Sequence, residues 1–379
     1  MASLDRCAAH SARAAAHAGE HPMDFGTLIF TKPQRAISDS KRLERLGFTH
    51  AWFADSQMIW GDVYACMALA AVNTTRIKLA TGISVATNRI PPVTVHAIGT
   101  INEIAPGRTL LGYGTGHTGR RVMGLPPVKF AEFREQVRVI RDLLKQGEAI
   151  YHTEGLSRKI RYLHRDRHFI NLDGPIPFYV AANGPRMLGV AGEFADGIIT
   201  TGVATPERLA AVFRHVEQGA RAAGRDLPAP MPCVSLTHIV VLKPGEALDS
   251  PRVIRMAGPW VITCLHAIAA GYAKPRSLPP AARAVYDAYA DYVAHLPGPP
   301  DEHYLELHTG HCTFVPERER RFVTAETIAA TTLVGTREEL LDRLRTLARG
   351  GLNQIVLNPP MDDFDEFVDD FAAEIIQHL

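Results

Sequence analysis

The chain is poor in the features that mark several protein classes. Its 379 residues hold only five cysteines: Cys7, Cys66, Cys233, Cys264 and Cys312. They are odd in number, widely spaced and never in a C-x-x-C pair, which argues against a disulfide scaffold or a zinc ribbon. No charge of one sign dominates, since 41 Lys and Arg stand against 40 Asp and Glu. A nucleic-acid protein would carry a basic excess, so no nucleic-acid partner is expected. The longest apolar stretch, around Gly258–Ala273, is broken by His266 and is short for a membrane span. No membrane partner is expected either. Met1–Pro22 is Ala-rich but has no apolar centre, so it does not read as a secretory signal. It is expected to be an extension, with Met23 opening the folded part of a cytoplasmic protein. No G-x-S-x-G, H-E-x-x-H or P-loop sequence occurs, which weakens hydrolase and kinase readings.

What is present is alternation. Short apolar runs at Asp24–Phe30, His50–Ala54, Ile77–Val85, Thr109–Tyr113, Phe178–Ala182, Gly197–Thr201, Cys233–Leu242 and Leu352–Leu357 are each followed by a helical pattern. Ser38 reads as a cap for the first helix and Gly47 as its end. Phe130, Phe133, Val137, Ile140 and Leu144 mark one apolar face, with Arg134, Arg138, Arg141 and Lys145 between them. Thr205-Pro206 reads as a cap with proline at the first helical position, and Thr336–Glu339 as a capping box. Eight strand–helix units predict an α/β fold, a (β/α)8 TIM barrel of residues 23–379, with a long insertion at 244–330 between strands seven and eight. A doubly wound sheet is the competitor. In a barrel, the insertion follows a strand and starts over the catalytic face as a lid. The segment 147–177 precedes a strand, so its Arg158, Lys159, Arg161, Arg165 and Arg167 are expected at the opposite end, as a solvated loop or an oligomer contact.

Several segments could carry chemistry. Gly114-Thr115-Gly116-His117-Thr118-Gly119 is a G-x-G-x-x-G, but Pro126-Pro127 delays the helix that a dinucleotide fold needs. It reads better as a turn where missing side chains admit a planar ligand. Ala181-Ala182-Asn183-Gly184-Pro185-Arg186-Met187 passes from strand to helix. Its free N–H groups and Arg186 suit a phosphate, although a plain turn with an exposed Arg fits equally. Asp55-Ser56-Gln57 ends strand two, as substrate or cofactor contacts or with Asp55 capping the next loop. Ser84–Ile90 is a polar loop after strand three, functional or merely connecting. In the insertion, His308-x-x-His311-Cys312 would hold a metal only with further converging ligands, so no metal is expected and a polar lid is favoured.

Taken in order, these segments resemble one family. Ala80-Thr81-Gly82-Ile83-Ser84, Asn88-Arg89-Ile90-Pro91, Ile101-Asn102-Glu103-Ile104 with Gly107-Arg108, Leu111-Gly112-Tyr113-Gly114-Thr115-Gly116, Val180 through Arg186, Ala195-Asp196-Gly197 and Leu333-Val334-Gly335-Thr336 are similar to the bacterial luciferase-like oxidoreductases. The most similar branch includes the deazaflavin-dependent methylenetetrahydromethanopterin reductases. The resemblance implies a TIM barrel binding reduced FMN or a deazaflavin at its C-terminal face. It places Asp55 and Ser56 near the ring. Ser84 and Val85 would form a supporting bulge that often holds a non-prolyl cis peptide. It lines the pocket with Gly112, Gly114 and Gly116, sets Ala182, Asn183, Gly184, Pro185 and Arg186 around the phosphate, and puts Thr201 at the ring edge.

The chain departs from the family where many relatives carry His after the strand-two acid, because Ser56 stands there. Ile90 stands where the reductases often carry His. That leaves His117, or a histidine of the insertion, as a substitute. The resemblance leaves three readings open. The first is a monooxygenase acting on a small organic substrate with reduced FMN and oxygen, fed by a separate flavin reductase. The second is a deazaflavin-dependent reductase or dehydrogenase. The third is a non-catalytic flavin-binding protein. A homodimer is the expected assembly.

Overall fold

Eight parallel strands pair edge to edge until the last meets the first. The computed structural model describes residues 23–271 and 273–379, so the expected extension at 1–22 lies outside the described residues. The chain begins with β1 (Asp24–Ile29), α1 (Pro33–Leu46), β2 (His50–Phe53), α2 (Val63–Asn73), β3 (Lys78–Thr81), β4 (Ser84–Val85) and α3 (Pro91–Ile104). It continues through β5 (Thr109–Gly114), α4 (His117–Arg121), α5 (Phe130–Gln146), the pair β6 (Glu148–Thr153) and β7 (Leu156–Arg161), β8 (Phe178–Ala181), α6 (Pro185–Phe194), β9 (Gly197–Thr201) and α7 (Pro206–Ala222). The ring order is β1, β2, β3, β5, β8, β9, then β10 (Cys233–Leu236) and β13 (Gln354–Leu357). Gly26 lies between His50 of β2 and Val356 of β13, which closes the ring. This is the (β/α)8 barrel expected from the strand count.

Between β10 and β13 the chain leaves the ring. It forms β11 (Ile239–Val241), α8 (Pro251–Ala269), α9 (Pro280–Ala294), α10 (His303–Leu307), α11 (Ala325–Thr331) and β12 (Leu333–Gly335) before α12 (Arg337–Arg349) leads into β13. The last helix is α13 (Phe364–Glu374). The run Cys233–Leu242 is therefore two strands. β10 is hydrogen-bonded on both sides in the ring, whereas β11 pairs only with β12 in a separate small sheet. The third run is also split, with a cis peptide between Gly82 and Ile83 separating β3 from β4.

The local signals act as their chemistry requires, with one exception. Thr205 and Thr336 cap α7 and α12, and the Thr336–Glu339 box is complete. Ser38, however, does not cap α1. The helix begins at Pro33, whose missing N–H costs nothing in a first turn, and the Ser38 hydroxyl turns back onto the Arg35 carbonyl at 3.1 Å.

The segment 147–177 corrects a topological expectation. Residues 148–161 are an antiparallel hairpin, β6 with β7, rather than a loop, whereas Arg165 and Arg167 follow it in an exposed 3-10 turn with Arg165 against Gly147 at the end of α5, as expected. The hairpin runs back along α5, where Arg138 donates to the Ile150 carbonyl. Its Tyr151, His152 and Thr153 then face Thr87, Arg89 and Ile90 across a cavity of about 320 Å³. Precedence in sequence fixed where the hairpin starts, not where its tip ends.

Two apolar layers hold the barrel. The larger lies between strands and helices. The smaller fills the barrel interior with Leu28, Trp52, Ala80, Leu110, Ile199, Val234 and Val356. Trp52 is the bulk of that plug, and a Cβ on Gly26 would come within 2.8 Å of its indole. Missing side chains on neighbouring strands are thus the room that the indole occupies.

Two histidines are built into the walls as neutral bases. Gln354 donates to His50 Nδ1 at 2.5 Å, and burial followed by nearby Lys78 pushes the ring down to about 3. His238 stacks on Phe367 with centroids 5.0 Å apart, and burial lowers it to about 4. The unfolded chain protonates such rings near pH 6.5 while the fold does not, so their stabilisation is complete above that pH and is lost as pH falls toward the folded values. Stability in urea should therefore drop between pH 6.5 and 5, and His238→Phe should reduce the slope by up to about 1.4 kcal/mol per pH unit. An unchanged slope would remove His238 from this account.

Candidate functional site at the C-terminal end of the barrel

The end of β2 is tied to the bulge after β3 by one carboxylate. Asp55 is nearly inaccessible. Its Oδ2 accepts the Val85 N–H at 2.9 Å, and Arg89 Nη1 donates to both of its oxygens at 3.1 and 2.9 Å. The other guanidinium nitrogen reaches Asp62 at 2.6 Å, and Asp62 in turn caps α2 through the Tyr64 and Ala65 amides. Tyr64 donates its hydroxyl proton to Ser84 at 3.0 Å and lies beneath Arg89. Asp55 therefore fixes backbone and does not cap the following loop. The Ser56 carbonyl accepts the Ile59 and Trp60 amides, which turns the chain after β2.

The glycine loop after β5 is packed rather than open. A Cβ on Gly112 would meet the Thr81 carbonyl at 2.3 Å. At Gly114 it would meet Ile83 at 2.3 Å, and at Gly116 it would meet Val85 at 2.2 Å. At these three positions the missing side chains make room for the protein's own Thr81 carbonyl, Ile83 and Val85. Gly116 also adopts a φ of 66°, which favours glycine as the chain turns into α4. Gln57 secures that short helix by donating to the Gly119 carbonyl at 2.6 Å, and Asn88 donates to Gln57 at 2.7 Å. His117 and Thr118 are carried over the same face.

The β8–α6 turn is open by contrast. Nothing lies within 4 Å of a Cβ built on Gly184. Asn183 accepts the Thr201 N–H at 2.9 Å, which joins the ends of β8 and β9. Ala182 is buried beneath them. Pro185 occupies the first turn of α6, where the amides that follow have no partner inside the helix. Arg186 lies 4.0 Å over the Phe130 ring, and Arg208 donates to the Thr201 carbonyl at 3.1 Å. Helix amides, a held guanidinium and an uncovered glycine are the donor set that suits a phosphate, so the residues present fit a phosphate-bearing flavin or deazaflavin. Ala182 to Arg186 would hold its phosphate end, and Thr201 would lie at the ring edge.

The insertion brings further polar groups to this face. Arg121 donates to the Ala270 carbonyl at 3.1 Å, and Thr118 meets His311 Nε2 at 2.9 Å. Burial, reinforced by His308, Arg121 and His266, pushes His117 down to about 3, so it is a neutral imidazole at neutral pH. It can donate or accept one proton there but does not stand ready as an imidazolium. Among the described residues no group of three or more His, Cys, Asp or Glu is arranged to hold a metal ion.

Sequence reasoning gave no role to Arg89, Tyr64, Trp60 or Asn358. Arg89 was visible only as part of a motif, because its two carboxylate partners lie 34 and 27 residues away. The Trp60 Nε1 and Asn358 Oδ1 atoms are buried, follow barrel strands and have no hydrogen-bond partner among the described residues. No local pattern announces such atoms. Asp55→Asn should cost about 2–4 kcal/mol in urea denaturation, because Arg89 keeps its charge and loses its buried partner. A loss under about 0.5 kcal/mol would mean that the pair is not what holds the bulge.

Comparison with known proteins agrees with this architecture. A 5,10-methylenetetrahydromethanopterin reductase of Methanopyrus kandleri is 26% identical over 370 residues, covering 92% of this chain and 95% of the relative. An F420-dependent glucose-6-phosphate dehydrogenase of Intrasporangium calvum is 24% identical over 360 residues, covering 92% and 95%. The solved coenzyme F420-dependent tetrahydromethanopterin reductase of Methanopyrus kandleri superposes with a TM-score of 0.68 at 24% identity, over 94% of this chain and 99% of that one. The model of the luciferase-like monooxygenase family matches residues 9–354, and the chain belongs to that family.

Proposed function

We propose that the protein is a deazaflavin-dependent oxidoreductase that moves hydride between its cofactor and a small organic substrate. The observation that carries this reading is likeness along nearly the whole chain to a methanopterin reductase and to an F420-dependent dehydrogenase. The open β8–α6 turn supports it, because Arg186 and the first amides of α6 offer an anion site at the rim. When bound, a deazaflavin accepts or gives hydride at its ring carbon. The protein's part is to place and shield. Ala182 to Arg186 anchor the phosphate, and Thr201 lies at the ring edge. The bulge at Ile83 to Val85, fixed by Asp55, supports the ring. His117 and Thr118 stand ready to exchange a proton with substrate. The cytoplasmic location and the homodimer stay with this reading.

A second reading follows from the family description, namely a monooxygenase that takes reduced FMN from a separate reductase and uses oxygen. Fluorescence titration separates the two. The deazaflavin should be quenched on binding and support turnover without oxygen. FMN binding with substrate-dependent oxygen uptake would overturn the deazaflavin reading, and binding of neither would overturn both. Arg186→Ala should weaken the phosphate-bearing cofactor about tenfold and leave the phosphate-free riboflavin-type analogue unchanged. Equal losses for both would take Arg186 out of the phosphate site.

A further inference from the structure

The insertion buries a line of hydrogen-bonding groups that runs from α4 to the outside. Thr118 Oγ1 lies 2.9 Å from His311 Nε2, and His311 Nδ1 lies 2.9 Å from His266 Nδ1. His266 Nε2 lies 3.4 Å from Glu319 Oε2, and the Tyr292 hydroxyl lies 3.4 Å from Glu319 Oε1. His266 and Glu319 are wholly inaccessible, His311 is nearly so, and Tyr292 is half-exposed at the far end. Apolar contacts would have packed these elements together as well. Five separate segments, namely α4, α8, α9, the turn after α10 and the 3-10 turn Glu317–Phe322, instead supply groups that meet in single file.

Hydrogen-bond chemistry gives the line a direction. Taken as a carboxylate, Glu319 only accepts, and His266 Nε2–H and the Tyr292 O–H then donate to it. His266 is then left with a lone pair on Nδ1, which must accept from His311 Nδ1–H. His311 is left with a lone pair on Nε2, which must accept from the Thr118 O–H. Every member donates toward Glu319. One proton added at the Thr118 end passes down the line, with one bond broken and one formed at each hop. His311 Nε2 takes the Thr118 proton and releases its Nδ1 proton to His266. His266 then releases its Nε2 proton to Glu319, which becomes a carboxylic acid. The line resets when the Tyr292 O–H turns outward and gives its proton to water, the Tyr292 oxygen takes the proton from Glu319, and the two imidazoles turn over to recover their starting N–H positions.

We propose that Thr118, His311, His266, Glu319 and Tyr292 form a proton-conducting chain between the C-terminal face of the barrel and the outer surface of the insertion. It rests on the reading of that face as the reaction site, where oxidation of a substrate hydroxyl releases one proton for each hydride removed. His117 lies beside the inner end, its ring centroid 6.4 Å from that of His311. The titratable groups that face the line disfavour an added positive charge on its histidines. Burial with His266, His308 and His117 holds His311 well below its ordinary range, and burial holds His308 at about 4. Arg121 faces the inner histidines and Arg318 faces the Glu319 end, where Tyr289 also packs. Thr118 and His311 act next to the site, while His266, Glu319 and Tyr292 are positioning residues for the proton.

The chain can be tested without cofactor or substrate, so its failure is distinct from failure of the oxidoreductase reading. With ¹⁵N-labelled histidine, the proton between His266 and His311 is followed by NMR during exchange with solvent. Tyr292→Phe keeps the ring between Tyr289 and Phe322 but removes the outlet. Exchange should slow about tenfold with the thermal midpoint held. Glu319→Gln, which keeps the shape but cannot take up the proton, should slow it likewise and serves if the first variant fails to fold. Exchange that is unchanged or faster in the folded variants would show release by local opening and overturn the proposal.

Discussion

The contact between Asp55 and Arg89 is the constraint on which the C-terminal face depends. One carboxylate at the end of β2 receives the Val85 amide and a guanidinium from the next loop, and that guanidinium reaches on to the cap of α2. Three elements are thereby set against one another by charged bonds, of which the Asp55 pair is nearly buried and the Asp62 pair half-exposed. The buried pair is the stronger, and for the same reason its unpaired partner is expensive to leave behind. The bulge positioned this way then fills the space over Gly114 and Gly116, which in turn fixes where α4 can lie.

The insertion completes the face from above rather than forming a separate body beside it. Its contacts with α4 are polar, through Thr118 and Arg121, while its own helices pack by Tyr289, Tyr292 and Phe322. The apolar part supplies cohesion. The polar part supplies a fixed hydrogen-bond direction, which an apolar contact cannot do.

Legibility followed the range of the interaction. Strand and helix identity was readable because it depends on period and caps within a few residues, as at Thr205, Thr336 and the buried face of α5. The split of Cys233–Leu242 was not readable, because both halves are equally apolar and only pairing distinguishes them. The hairpin at 148–161 was misplaced for a related reason. Its chain position follows a helix end, but antiparallel pairing carries its tip back up the barrel wall. Among the candidate site residues, the open β8–α6 turn reads locally, since a strand end, Gly184, Pro185 and Arg186 are consecutive. The Asp55 partners and the Glu319 line do not, since their members lie tens to more than a hundred residues apart.

By itself the sequence determined the alternating architecture, the number of barrel strands, the family resemblance and the position of the turn between β8 and α6. Each is a matter of local pattern or of ordered motifs. Only the tertiary structure decided what the glycines of 112–116 are for. In sequence a missing side chain is an opening, yet here the Thr81 carbonyl occupies that room at Gly112, Ile83 at Gly114 and Val85 at Gly116. It also decided that Asp55 holds backbone, and that histidines scattered through an insertion line up behind Thr118. A side chain's task depends on which groups share its few ångströms of space, and barrel closure chooses those groups from remote parts of the chain.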